Sequence, residues 1–152
     1  MTDYNYLCAQ ARGLISGVRH LTANLSNLSA LINENLSDIN WAGFYLLEGD
    51  KLVLGPFQGK VACIEIPVGR GVCGTAVGEN KTQRVANVHE FKGHIACDSA
   101  SNSEIVLPIR RDGKVVGVLD IDSTSLYRFS EADERGLTEL VKVIEEELHD
   151  LF

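Results

Sequence analysis

Thiols and carboxylates carry redox chemistry and proton transfer, and in this chain both types gather between residues 61 and 122. Three of the four cysteines, Cys63, Cys73 and Cys97, lie there, while Cys8 stands apart near the amino end. The same stretch holds Glu104 and the run Asp120-Ile121-Asp122. Side chains alternate along an extended strand, so Asp120 and Asp122 share one face and Leu119 and Ile121 the other. Val115, Val116, Val118 and Leu119 leave both faces apolar, so this strand is expected to be central and covered. Two carboxylates at the end of a covered strand are costly to bury alone. Neighbouring backbone amides, solvent at the strand end, or a cationic ligand such as an ammonium group would each relieve that cost. Like charges held close also raise one pKa, leaving a carboxylic acid able to donate a proton near neutrality.

Cys97 follows Gly93 and His94 in a polar segment, which is poor company for a core filler. His94 could lower the thiol pKa or orient the loop, and spacing leaves both open. Cys63 is expected to point with Glu65 toward the site, with Ile64 and Ile66 turned to the core. Cys73 falls at a turn–helix junction, where free backbone N–H groups favour anions. Taken singly, each thiol is most simply an inert buried side chain, as Cys8 is expected to be. A zinc site built from Cys63, Cys73, Cys97 and His94 is disfavoured, because the cysteines lack the close pairing of structural zinc. A Cys–His hydrolase using His89 or His94 as base carries no local signature. Gly69-Arg70-Gly71-Val72-Cys73-Gly74 matches a dinucleotide-binding string, but no repeated βαβ units surround it. A tight turn presenting amides to a ligand carboxylate is the more economical reading.

The elements that must position these groups follow from periodicity. Leu21, Leu25, Leu28, Leu31, Ile32 and Leu36 recur at helical spacing, with Thr22 as the expected N-cap. An earlier helix after Asp3 carries Leu7, Leu14, Ile15 and Val18 and is weakened by Gly13 and Gly17. Residues 41–47 and 51–57 read as a hairpin across Glu48-Gly49-Asp50, and residues 61–67 as a third strand. A short helix is expected over 72–77 and a brief strand over 82–85. Residues 87–102 lack sustained periodicity and read as a long functional loop. Residues 104–110 and 114–121 form a hairpin around Asp112-Gly113. The last helix starts at Ser130, with Asp133 as capping-box partner and Leu137, Leu140, Val141, Ile144 and Leu148 as its buried stripe. This order predicts an α+β fold: a central antiparallel sheet, N- and C-terminal helices on one face, active-site loops on the other. One domain over residues 1–152 is expected.

Composition narrows the partners. The net charge of −7 argues against nucleic acid and against an anionic membrane surface, since either needs a basic patch. The segment Met1-Thr2-Asp3-Tyr4-Asn5-Tyr6 has no basic n-region or apolar h-region, and no apolar run approaches the ~18 residues of a membrane span. A cytoplasmic location follows as the expectation. There, thiols at unrelated spacings are more often catalytic, metal-binding or inert than structural disulfides.

In combination, Asn40-Trp41-Ala42-Gly43-Phe44-Tyr45, Leu54-Gly55-Pro56-Phe57-Gln58-Gly59, Gly69 to Gly74, Gly93-His94-Ile95-Ala96-Cys97-Asp98, Ser103-Glu104-Ile105-Val106 and Gly117-Val118-Leu119-Asp120-Ile121-Asp122-Ser123 resemble the free methionine-(R)-sulfoxide reductases. These are small enzymes built on the GAF domain, and the resemblance runs in order over residues 40–129. It implies that Cys97 is the nucleophile and that Cys63 and Cys73 serve in resolving the oxidised enzyme, their division of labour left open. It implies that Glu104, Asp120 and Asp122 bind substrate and assist proton transfer. Trp41 would pack on the substrate's methyl end and Tyr45 would line the same pocket. The implied substrate is free methionine-(R)-sulfoxide, the implied reductant is of the thioredoxin type, a homodimer is suggested, and no metal or organic cofactor is needed. A GAF small-molecule sensor without turnover is the alternative from a different class.

Overall fold

Strand β6 (Lys114–Ser123) sets the frame, because it pairs on both sides: with β1 (Trp41–Glu48) and with β5 (Ser103–Arg111). The computed structural model describes residues 1–95 and 100–152, so the expectations for Cys97 fall outside the described residues. With β2 (Lys51–Gly59), β3 (Glu65–Pro67) and β4 (Gln83–Val85), the sheet runs β3-β2-β1-β6-β5-β4, every pairing antiparallel. Its two faces are divided by parity. Leu119 and Ile121 enter a core with Phe44, Ile105 and Leu107 that α1 (Tyr4–Ile15), α2 (Leu21–Asn35) and α4 (Glu131–Leu148) cover. Val118, Val106 and Tyr45 face the other way, onto α3 (Gly71–Glu79).

Local chemistry explains the element ends. Asp112 (φ +53) and Gly113 (φ +80) both take the left-handed backbone that a two-residue hairpin turn requires. Ser130 and Asp133 close the reciprocal capping box that starts α4. The Asp3 carboxylate accepts from Tyr6 N–H at 3.0 Å and starts α1.

Three expectations are corrected. Leu14 and Val18 are exposed, and the buried stripe of α1 is Leu7, Ala11 and Ile15, a spacing of four carried through an alanine. Thr22 is not the cap of α2; His20 occupies that position without a side-chain bond, and Asn24 Nδ2 ties the helix start to Val18 O at 2.8 Å. The third strand is shorter than residues 61–67. Leu54 N–H donates to Ile64 O, but the next donor in that ladder would be residue 56, and Pro56 has no N–H. Residues 61–64 therefore leave the sheet, Ile64 is 70% exposed, and strand parity no longer governs Cys63.

The segment from Asn87 onward holds a 3-10 turn, Val88–Glu90, started by the Asn87 side chain accepting from His89 N–H. Val88 is fully buried, and its N–H donates to Asn102 O. Among the described residues, no helix is long and apolar enough to cross a membrane.

Candidate active site

Register gathers the sequence-predicted residues into rows. Trp41 pairs with Asp122, and Asp122 pairs in turn with Glu104, so one row crosses β1, β6 and β5. The next row places Asp120 between Gly43 and Val106, and the third sets Tyr45 beside Val118. Paired residues on adjacent strands point to the same face, here the α3 side, where the side chains line a cavity. Trp41, Tyr45, Glu104, Asp120 and Asp122 come from the sheet and Cys73 from α3. Ile66 of β3, expected to turn away from the site, lines the cavity as well. Val61, Ala62, His94, Ile95 and Ser101 add walls from the loops, and no lysine or arginine is among the described lining residues.

The carboxylates are strongly perturbed. Glu104 is 8% exposed and Asp120 5%. Burial pushes Glu104 well above the usual carboxyl range, and the charges of Asp120 and Asp122 push it further. Burial raises Asp120 as well, opposed by the neighbouring Glu104, Asp122 and Cys73. Asp120 Oδ1 is buried with no hydrogen-bond partner among the described residues. A cluster of this kind holds protons near neutrality and attracts a cation.

The aromatic wall is built with equal care for space. Trp41 stacks on Phe57 with centroids 5.0 Å apart and on Tyr45 at 6.0 Å. Its indole lies over Gly59 (φ +141), where an added Cβ would come 2.5 Å from Trp41 Cδ1, so only glycine leaves room. Trp41 Nε1 donates to Lys60 O at 3.1 Å, and Tyr45 O–H donates to Cys63 O at 2.8 Å. Both bonds hold the strandless segment after β2 against the cavity.

The thiols differ in state. Cys73 is a free thiol, 4% exposed, and donates over a long 3.9 Å to Glu104 Oε2. Burial and the charges of Asp120 and Glu104 raise its pKa well above the usual thiol value. Cys63 is half-buried against the same apolar cluster and is disulfide-bonded. Cys8 is a free, half-buried thiol packed on the helical core, away from the site.

The glycine-rich run forms the expected tight turn, with positive φ at Gly69 and Gly71. The amides of residues 69–71 are spent within the chain: Gly69 N–H on Gly74 O, Arg70 N–H on Pro67 O, and Gly71 N–H on Gly93 O. The first turn of α3 carries no side-chain cap, and Gly71 and Val72 line the cavity there. His94 also lines the cavity, and burial, then the nearby His89, lower its pKa, so the imidazole is neutral near pH 7. His89 is not among the lining residues; its ring pairs with Asn102 Oδ1 at 2.8 Å. Sequence reasoning passed over Ser101, which is buried on the cavity wall and accepts from Asn40 Nδ2 at 3.0 Å. Its only signal was a place in a run of serines and asparagines.

A GAF domain model matches residues 22–148. The free methionine-R-sulfoxide reductase of Escherichia coli K12 is 62% identical over 135 residues, spanning 89% of this chain and 82% of the relative. The Staphylococcus aureus enzyme fRMsr, solved in complex with substrate, is 57% identical and superposes with a TM-score of 0.93, covering 97% of each chain. The free methionine-R-sulfoxide reductase of Neisseria meningitidis, also solved with its substrate, is 42% identical with a TM-score of 0.94, covering 97% of this chain and 89% of that one. With its sheet order, its acid cluster and these likenesses, the chain belongs to the free methionine-R-sulfoxide reductases, a family of oxidoreductases built on the GAF domain.

Proposed function

We propose that this chain reduces free L-methionine-(R)-S-oxide to L-methionine, with Cys97 as nucleophile. The observation that carries the proposal is the acid trio on one cavity wall, Glu104 and Asp120 buried and Asp122 half-buried, facing a stacked Trp41 with no lysine or arginine among the described lining residues. A free amino acid presents an ammonium group that the acids can hold and a methyl sulfoxide end that suits the indole. The first turn of α3, uncapped by any side chain, offers backbone N–H groups for the carboxylate. A residue inside a peptide offers neither charge.

The reaction follows from these parts. An ammonium beside Asp120 keeps that group ionised, and the ionised Asp120 keeps Glu104 protonated. The Cys97 thiolate attacks the sulfoxide sulfur while Glu104 donates its proton to the oxygen, with Asp122 assisting the proton transfers. Methionine leaves, and Cys97 carries the oxygen as a sulfenic acid. A second thiol condenses with it, forming a disulfide and releasing water. Cys63 suits this step better than Cys73, because Cys63 is disulfide-bonded whereas Cys73 is a free thiol with a raised pKa. A thioredoxin-type dithiol then reduces the disulfide by exchange, itself becoming oxidised. Such coupling calls for a reducing compartment such as the cytoplasm, and a homodimer is the assembly we expect.

Thiol counting and intact mass before and after racemic free methionine sulfoxide test the reaction. Loss of two thiols with methionine formed from the R epimer alone is expected, and an unchanged thiol count would sink the proposal. Cys97→Ser should abolish turnover while retaining substrate binding. An N-acetylated, amidated methionine sulfoxide should react with kcat/KM about tenfold lower or worse, a loss of about 1.4 kcal/mol.

A further inference from the structure

One reactive group has no task in that cycle. Cys73 is a free, buried thiol. Its Sγ, a Glu104 oxygen and an Asp120 oxygen all lie within 4.8 Å of one another, and Sγ is 3.9 Å from Glu104 Oε2. Asp120 is 5% exposed and lines the cavity, and its Oδ1 is buried without a hydrogen-bond partner among the described residues. A buried carboxylate oxygen without a protein donor is costly, and a cation would relieve that cost.

The donor set selects the class of cation. Magnesium and calcium prefer oxygen alone, whereas zinc-class ions accept thiolate sulfur together with carboxylate oxygen. A tetrahedral ion with bonds of roughly 2.3 Å to sulfur and roughly 2.0 Å to oxygen sets its ligand atoms about 3.5 Å apart. The sulfur–oxygen separation of 3.9 Å is close to that already, and the widest spacing, within 4.8 Å, must contract by roughly 1 Å. Asp122 lines the same cavity and supplies a further oxygen or a place for water.

We propose that Cys73, Glu104 and Asp120 bind one thiophilic divalent cation of the zinc class, and that this ion shuts the pocket by taking the place of the substrate's ammonium group. The ion site stands on the cluster's geometry; only its blocking role rests on the proposed function. Binding is ligand exchange: the Cys73 thiol and the Glu104 carboxyl each lose a proton to solvent, the ion releases three bound waters, three metal–ligand bonds form to Cys73, Glu104 and the ionised Asp120, and no electrons are transferred.

Cadmium is the probe, because its bond to thiolate gives an ultraviolet charge-transfer band. In a protein carrying Cys8→Ser, Cys63→Ser and Cys97→Ser, Cys73 is the only thiol. This protein should bind one Cd2+ per chain with that band. Adding Asp120→Asn or Glu104→Gln should weaken Kd about tenfold or more, and adding Cys73→Ser should remove the band. A folded single-thiol protein without the band, or an Asp120→Asn form binding as tightly as its parent, would overturn the site. If the triple variant does not fold, the native chain is compared with its own Cys73→Ser and Asp120→Asn forms. The same loss of one Cd2+ equivalent and about tenfold weakening are then required. Free L-methionine should compete with Cd2+. Binding of Cd2+ that methionine cannot displace would leave the ion site standing and remove the ammonium assignment.

Discussion

Glu104 is caught between stability and function. A carboxyl whose folded pKa is raised binds its proton more tightly in the native state than in the unfolded chain. Stability is therefore undiminished below the unfolded value and falls as pH rises toward the folded pKa. At pH 7 to 8 the group is a burden, and Glu104→Gln, which cannot ionise, should raise Tm by about 2–4 °C for each 1 kcal/mol relieved. The same change removes the proton donor we propose and should lower kcat/KM by roughly 10²–10⁴-fold. Native activity should decline as pH rises through the raised pKa of Glu104, and that limb should vanish from the residual activity of the variant. An unchanged Tm together with unchanged turnover would count against both parts. Tyr45 acts differently, through its bond to Cys63 O at 2.8 Å. Tyr45→Phe removes that hydrogen bond, at a cost of roughly 0.5–1.5 kcal/mol. It should slow disulfide formation after the first turnover, which a sulfenic acid trap read by intact mass would detect as an accumulated adduct.

Among the elements, α3 and the segment Gly93–Ile95 work as a unit. Gly71 N–H donates to Gly93 O, and an added Cβ at Gly71 would meet Ile95 at 3.2 Å. Gly71 also has φ +63, a conformation costing other residues roughly 1–2 kcal/mol. Gly71→Ala should lower stability by about that amount and raise KM by loosening Ile95 from the cavity, as steady-state kinetics alongside thermal melts would reveal. An unchanged KM would mean that the contact is structural only. This pairing of glycine run and loop was not legible in the sequence, since nothing in residues 69–74 names a partner some twenty residues on. The β5–β6 hairpin was legible, because Asp112-Gly113 fixes the turn, but the register shift between Ile109 and Arg110 that sets Leu119 opposite Leu107 was not. For residues 61–64 the apolar pattern misled: Val61 and Ile64 are β-branched, but Pro56, which would face residue 62 in a longer ladder, has no N–H to donate. The acids and Trp41 could be assigned from strand parity and motif. The freedom of Cys73 and the place of Ser101 depend on long-range packing that no local spacing encodes.

For the whole molecule, the sheet separates a helical core from the cavity, with Leu119 and Ile121 on one side of β6 and Asp120 and Asp122 on the other. The helices on the core side hold the sheet in shape but contribute no residue to the cavity lining, which draws on the sheet, α3 and the loops. Stability and chemistry should then separate by layer. Leu140 on α4 is fully buried in the helical core. Its replacement in Leu140→Ala removes apolar volume that the surroundings cannot fully refill, costing about 2–5 kcal/mol. At about 2–4 °C per kcal/mol, Tm should fall by roughly 4–20 °C. Assayed well below that lowered Tm, the variant should keep kcat/KM within about twofold of the native value, a change under about 0.5 kcal/mol in transition-state stabilisation. A loss of about tenfold or more in a folded sample would mean that the helical layer tunes the acid cluster through the sheet.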